Sequence, residues 1–234
     1  SREHENFLGF DFGNEINCCW KTDNLDDGDR WHNRMMALLH ELFPEGVHVN
    51  GVDHQPWFYP TTFSPRNLAR SQRIVAQHSY TYFTGALKET NGDHFGNASV
   101  HLLDSMAALA RSYARDPRKP VWVQEYGMSE AWMEKEQVPR FLEEATLNGI
   151  RGGVTWFTWW ASHDLDRTLT FDELEYSLGL ITQDQKIKPQ GKMFREIADA
   201  YRGTKVDLER LANIPLEDPP RIHDKVTTWN WLNS

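Results

Sequence analysis

The feature that most constrains this 234-residue chain is an alternation in which short apolar runs recur between longer amphipathic stretches. A short run rich in Val, Ile, Phe or Trp suits a buried strand, and apolar positions at helical spacing suit a helix lying over it. Repeated in that order, the two periods define βα units around a parallel sheet. The pattern predicts strands over 7–12, 47–52, 74–79, 120–124 and 152–158, and helices over 29–43, 65–73, 100–115, 137–147 and 191–201. Gly46, Pro117 and Gly149 stand where helix caps and stops belong. Past Arg202 the periodicity fades, which divides the chain into a barrel-like part, 1–202, and a C-terminal extension, 203–234. The extension carries Pro215, Pro219, Pro220, Trp229 and Trp231 and is expected to strap across the domain surface.

Composition removes several function classes. Charged residues make up 25%, the mean hydropathy is -0.66, and no apolar run approaches the roughly 20 residues of a membrane helix, so a membrane-spanning role is not expected. The net charge of -9 comes without any Lys/Arg stripe, which argues against nucleic acid as a partner. Cys18 and Cys19 are adjacent, a spacing too strained for a bridge, and read as free thiols serving as packing residues. The chain opens at Ser1 in a polar, helix-like stretch with no secretory signal in view. Ten histidines invite a metal-dependent hydrolase, but there is no His-x-His strand end, no His-Glu-x-x-His helix and no zinc-type spacing. A Gly-rich phosphate loop is also missing, so no metal and no cofactor are expected.

Three segments place polar residues directly after an apolar run. Gly9-Phe-Asp-Phe-Gly-Asn-Glu15 ends in Asn14 and Glu15, and Val121-Trp-Val-Gln-Glu-Tyr-Gly127 ends in Glu125. In parallel α/β folds the C-terminal ends of strands carry the chemistry, and a carboxylate there is either compensated by partners or functional. Two such carboxylates in one cleft are the apparatus of glycoside hydrolysis. The third segment, 152–164, carries Trp159 and Trp160 followed by Ser162, His163 and Asp164. Indole faces stack on pyranose rings while polar neighbours take the hydroxyls. His54 and Trp57, after the second strand, are further candidates for lining the cleft, whereas Trp122 and Trp156 are expected in the core.

The ordered set of Asn14-Glu15, His78-x-Tyr80, Glu125-Tyr-Gly127 and a Trp-rich strand resembles the glycosidase superfamily whose acid/base follows strand 4 and whose nucleophile follows strand 7. Within it the chain looks like glycoside hydrolase family 5 and its cellulase-like or mannanase-like relatives, over about residues 7–201. The run Tyr176 to Leu180 with Lys188-Pro189 is similar to the approach to the last helix in such enzymes. The resemblance implies an α/β fold: the C-terminal part, about strands 4 to 8, of a (β/α)8 TIM barrel lacking the first three βα units. It implies retaining hydrolysis of β-linked glucan- or mannan-type substrates, with Glu15 as acid/base of raised pKa and Glu125 as ionised nucleophile. Asn14 would hold the 2-hydroxyl, His78 and Tyr80 would orient Glu125, and Trp160 would floor the cleavage subsite. The partner implied is an oligosaccharide or polysaccharide. Five βα units cannot close an eight-stranded barrel, so an N-terminal segment or self-association through the open edges is expected. The alternative is a carbohydrate-binding barrel fragment without turnover, which would release no sugar from a chromogenic glycoside.

Overall fold

The computed structural model describes residues 6–221 and 223–234; the polar opening expected at Ser1 lies outside them. Its centre is a three-stranded sheet, β1 (Val75–His78), β2 (Val121–Tyr126) and β3 (Trp156–Trp159), paired in parallel in the order β1-β2-β3. The register sets Val75 opposite Val121 and Trp122 opposite Trp156, then shifts near the strand ends so that His78 lies beside Glu125. All-parallel strands need crossover connections, and α3 (Leu102–Ala114) and α4 (Val138–Arg151) lie in those from β1 to β2 and from β2 to β3; α1 (Leu25–Leu42) and α2 (Pro65–Ser71) precede the sheet, and α5 (Pro189–Tyr201) follows it.

Sequence punctuation sets the helix starts. Asn24 caps α1, its side chain accepting the Asp27 amide at 2.9 Å, and Ser64 caps α2 ahead of Pro65. Pro189 opens α5 in the same first-turn position. The helices bury one face against β2, where Val121 and Val123 meet Met106, Leu109, Leu142 and Ala145 in the main core. At roughly 25 cal/mol per Å² of apolar area, fully burying one such Leu contributes about 2 kcal/mol.

Several sequence expectations are corrected. The runs 7–12 and 47–52 form no named strands; they are extended and joined by one parallel bridge, Asp11 to Val49, with Val49 N–H on Phe10 O at 2.9 Å. Leu8 and Phe10 are exposed, because no neighbouring strand covers the outer side of this pair. The third strand begins at Trp156 rather than 152, since Gly152 and Gly153 still belong to the turn that ends α4. Gly149 is inside α4, packed on the Phe157 ring, and is not a cap. The helix expected over 100–115 is broken at His101. Trp156 is not a core residue, and Trp122 is partly buried, packed against a small cluster of Val49, Ile74 and Ala76 rather than in the main core. Both lie on the strand face opposite Val121 and Val123, ring centroids 5.7 Å apart, and Trp156 is 37% exposed because this face of the half-barrel is open. Cys18 and Cys19 are free and exposed rather than packed inside.

The C-terminal residues form two further helices, Leu208–Ala212 and α6 (Lys225–Leu232). Leu211 and Trp229 are buried, and the Trp229 ring packs on Phe58. Among the described residues no helix is long and apolar enough to cross a membrane.

Candidate active site

The segments bearing Glu15, His78 and Glu125 converge where each ends. Glu15 follows the bridged segment, its amide on Gly51 O at 2.7 Å, and its backbone is left-handed at φ 47°. A non-glycine residue there is strained, so the fold holds this carboxylate in place against a local cost. His78 is the last residue of β1, and Glu125 is the fifth residue of β2.

The His78 ring lies between the two carboxylates. Its Nδ1 is 2.9 Å from Glu15 Oε1 and 3.5 Å from Glu125 Oε2, and the Tyr80 hydroxyl donates to Glu125 Oε2 at 2.9 Å. One carboxylate oxygen of Glu15, one of Glu125 and His78 all lie within 4.8 Å of one another. Like charges at this separation cannot ionise independently. Burial pushes the Glu125 carboxyl above its ordinary range, against the opposing pull of His78 and the Tyr80 hydrogen bond. Burial alone would lower His78; the Glu15 hydrogen bond and the charges of Glu125 and Glu15 outweigh it and raise the ring. Burial beside Glu125 drives the Tyr80 phenol well up, so it remains a donor.

Among the described residues Glu15, His78 and Glu125 form a group with the right elements for a metal. The ring nitrogens of His78 are already committed, Nδ1 to Glu15 and Nε2 to Gln124 Oε1 at 3.3 Å, so the imidazole has no free lone pair to give. The geometry suits two carboxylates bridged by an imidazole better than it suits an ion.

The other residues singled out in the sequence separate by exposure. Trp160 is 40% exposed, and its indole N–H donates to Glu175 Oε2 at 3.3 Å. Gly127, which completes the Glu-Tyr-Gly run, passes so close to the Trp160 carbonyl that a Cβ would sit 2.5 Å from it. Trp159 instead turns into the core, its N–H on Leu178 O and its ring on Tyr126, and Trp57 is fully buried; neither indole faces the cleft. Asn14 is exposed beside Glu15. His54 packs against Asp53, Tyr59 and Phe83, and burial lowers its pKa.

Sequence reasoning missed four participants. Asp11 accepts from Gln124 at 2.7 Å, Glu175 accepts from Trp160 at 3.3 Å, and Asp53 accepts from Asn17 at 2.6 Å and from the Cys18 thiol at 3.2 Å. Burial, then Asp53, pushes the Cys18 thiol up to about 12, which makes it a donor and a poor nucleophile. An exposed aromatic patch also borders the site: Tyr82 and Trp132 stack at 4.8 Å, and Phe83 meets both edge-on while reaching Tyr80 at 5.8 Å.

Two carboxylates thus face one another across a histidine beside the C-terminal end of a parallel sheet, with aromatic rings around them. No protein-family model matches the chain, and no curated protein matches it. Solved structures do. The GH5_18 of Streptomyces cattleya in complex with GlcNAc is 31% identical, with 87% of this chain and 50% of that one covered and a TM-score of 0.79. A variant of the same protein in complex with Manβ1-4GlcNAc is 30% identical over 93% of this chain and 52% of that one, TM-score 0.79. The GH5_18 of Bifidobacterium longum subsp. infantis is 26% identical over 88% and 50%, TM-score 0.79. The resemblance to glycoside hydrolase family 5 therefore holds in three dimensions. The chain has the fold of about strands 4 to 8 of a (β/α)8 barrel and spans about half the length of the solved relatives it matches.

Proposed function

We propose that this chain carries the catalytic carboxylates of a retaining β-glycosidase acting on β-mannosides, with a GlcNAc-type sugar as leaving group. The observation that carries the reading is the approach of Glu15 and Glu125 to within 4.8 Å across His78. Retaining glycosidases hold their carboxyl groups about 5 to 5.5 Å apart, whereas inverting enzymes leave about 6.5 to 9.5 Å for a water. Glu125 is the nucleophile: it is the more buried of the two, and the Tyr80 hydroxyl and His78 stabilise its ionised form. Glu15, more open to solvent, first gives a proton to the leaving oxygen and then takes one from water. Asn14 binds the 2-hydroxyl and Trp160 floors the cleaved sugar. The sugar preference is supported by the solved relative holding Manβ1-4GlcNAc. The remaining barrel strands come from an N-terminal segment or a second chain, which closes the open face around Trp122 and Trp156.

The test is hydrolysis of Manβ1-4GlcNAc beside aryl β-mannoside and β-glucoside, followed by proton NMR of the first-formed mannose. Release of β-mannose first, with the mannosides preferred, is expected. Release of α-mannose first would mean inversion, and tight sugar binding without release would favour the non-catalytic reading.

A further inference from the structure

The polar face of the half-barrel carries a hydrogen-bond chain that starts at a residue remote from both carboxylates. Asp11 Oδ2 accepts from Gln124 Nε2 at 2.7 Å, and Gln124 Oε1 lies 3.3 Å from His78 Nε2. The Asp11 carboxylate is held from its other oxygen by the amides of Gly51 at 3.0 Å and Gly13 at 3.2 Å. A carboxylate can only accept, so the Gln124 amide must turn its NH2 toward Asp11 and its carbonyl toward His78. That carbonyl in turn can only accept, which makes His78 Nε2 a donor. On the far side of the ring Nδ1 faces Glu15 Oε1, another acceptor. Every direction from Asp11 to His78 Nε2 is fixed from one end.

An independent feature shows that the pair is built in. A Cβ at Gly51 would stand 2.4 Å from Gln124 Oε1 and 2.6 Å from Asp11 Oδ2, so the chain uses a glycine where the two side chains meet.

From these contacts we infer that Asp11, acting through Gln124, is a positioning residue that fixes a proton on His78 Nε2, so that a second proton, on Nδ1 beside the Glu125 carboxylate 3.5 Å away, makes the ring a cation clamped between Glu15 and Glu125. The second proton on the ring then offsets the Glu125 carboxylate, the counter-charge a nucleophile needs before attack. A neutral ring would leave Glu125 without its counter-charge. The groups facing His78 are Glu15 from the first segment, Gln124 and Glu125 from β2, Tyr80 after β1, and His54 from the loop after 52, the last opposing the cation. Glu175 and Lys225 act one step out, on Glu125 and His54 respectively.

The inference rests on the glycosidase reading for its purpose, and its test does not. Ring-nitrogen NMR of the 15N-labelled complete protein follows the His78 titration without substrate, with H78N identifying its signals. In D11N the Gln124 amide is free to turn over and offer its NH2 to Nε2, so the ring midpoint should fall by about one pH unit, a tenfold loss in proton affinity. Q124M breaks the relay from its other end and should give a similar fall, and the double variant should add little more. The alkaline limb of kcat/KM should move with the ring, and the surface variant D184N should move neither. A His78 midpoint unchanged in both D11N and Q124M, or shifted as much by D184N, overturns the proposal. A shifted ring in a protein that cleaves no glycoside keeps the relay and rejects the glycosidase reading.

Discussion

The two ends of the sheet handle buried charge in opposite ways. At the entry to β2 and β3 the Arg111 guanidinium is 5% exposed and donates to the carbonyls of Gly152 and Gly153 at 2.6 Å each and of Lys119 at 3.2 Å. Burial lowers it to about 10, still cationic at neutral pH, and every partner is backbone. At the exit from the same strands, Glu15, Glu125 and His78 face one another, and two of the three repel. The first arrangement ties turns together and has nothing left to give. The second is held in a configuration whose protons can move, which is the condition for acid–base chemistry.

Mutations at the two ends should therefore fail differently. The largest effect belongs to Glu125→Ala, which removes the proposed nucleophile and should lower turnover by roughly 10⁵-fold with little change in melting temperature. Azide should restore turnover and yield the α-glycosyl azide, attacking from the face the carboxylate vacated; a β-azide would swap the two roles. Glu15→Ala should cost about 10² to 10⁴-fold on Manβ1-4GlcNAc and far less on a dinitrophenyl glycoside in the first step, because a good leaving group needs little protonation. An equal loss on both substrates would contradict its role as acid. At the other end, Arg111→Met should leave the pH profile alone and destabilise by roughly 3 kcal/mol in denaturant unfolding, since three carbonyls, buried or half-buried, lose their donor.

A smaller effect comes from His32, which bonds Ser71 at 2.6 Å and Asn50 at 3.1 Å and is lowered by burial from 6.5 to about 4. A depressed folded-state pKa contributes stability that is complete above 6.5 and is lost as pH falls toward 4. The loss amounts to at most about 3 kcal/mol, and His32→Asn should flatten the acid limb of a stability-versus-pH curve over that window. Parallel acid limbs in the two proteins would exclude His32 as the source.

What the sequence revealed follows from how local each signal is. β1, β2 and α5 were legible because their apolar periods are uninterrupted, and the carboxylates were legible because each closes such a run. Asn24 could have placed the start of α1 four residues earlier than the apolar pattern did, since Asn followed by acidic residues is a helix-start signal. The segment 7–12 reads as a strand by composition, yet it meets 47–52 through a single parallel bridge, and sequence does not show how far a pairing extends. Trp57 lies in a short helix and Trp159 ends β3, and strand alternation turns Trp159 into the core and the adjacent Trp160 outward. Asp11 and Gln124 are 113 positions apart, and nothing near either one announces that they meet.

The left-handed backbone at Glu15 also has an evolutionary side. Asn tolerates that conformation better than Glu does, so Glu15→Asn should raise the melting temperature by a degree or more, corresponding to about 0.5 to 1 kcal/mol, while abolishing acid catalysis. A lineage released from selection for cleavage would drift toward the more stable form and keep the aromatic surroundings, giving a sugar-binding descendant. On the proposed glycosidase reading, the strain at this one residue is a standing bias toward becoming a lectin, opposed only by demand for turnover.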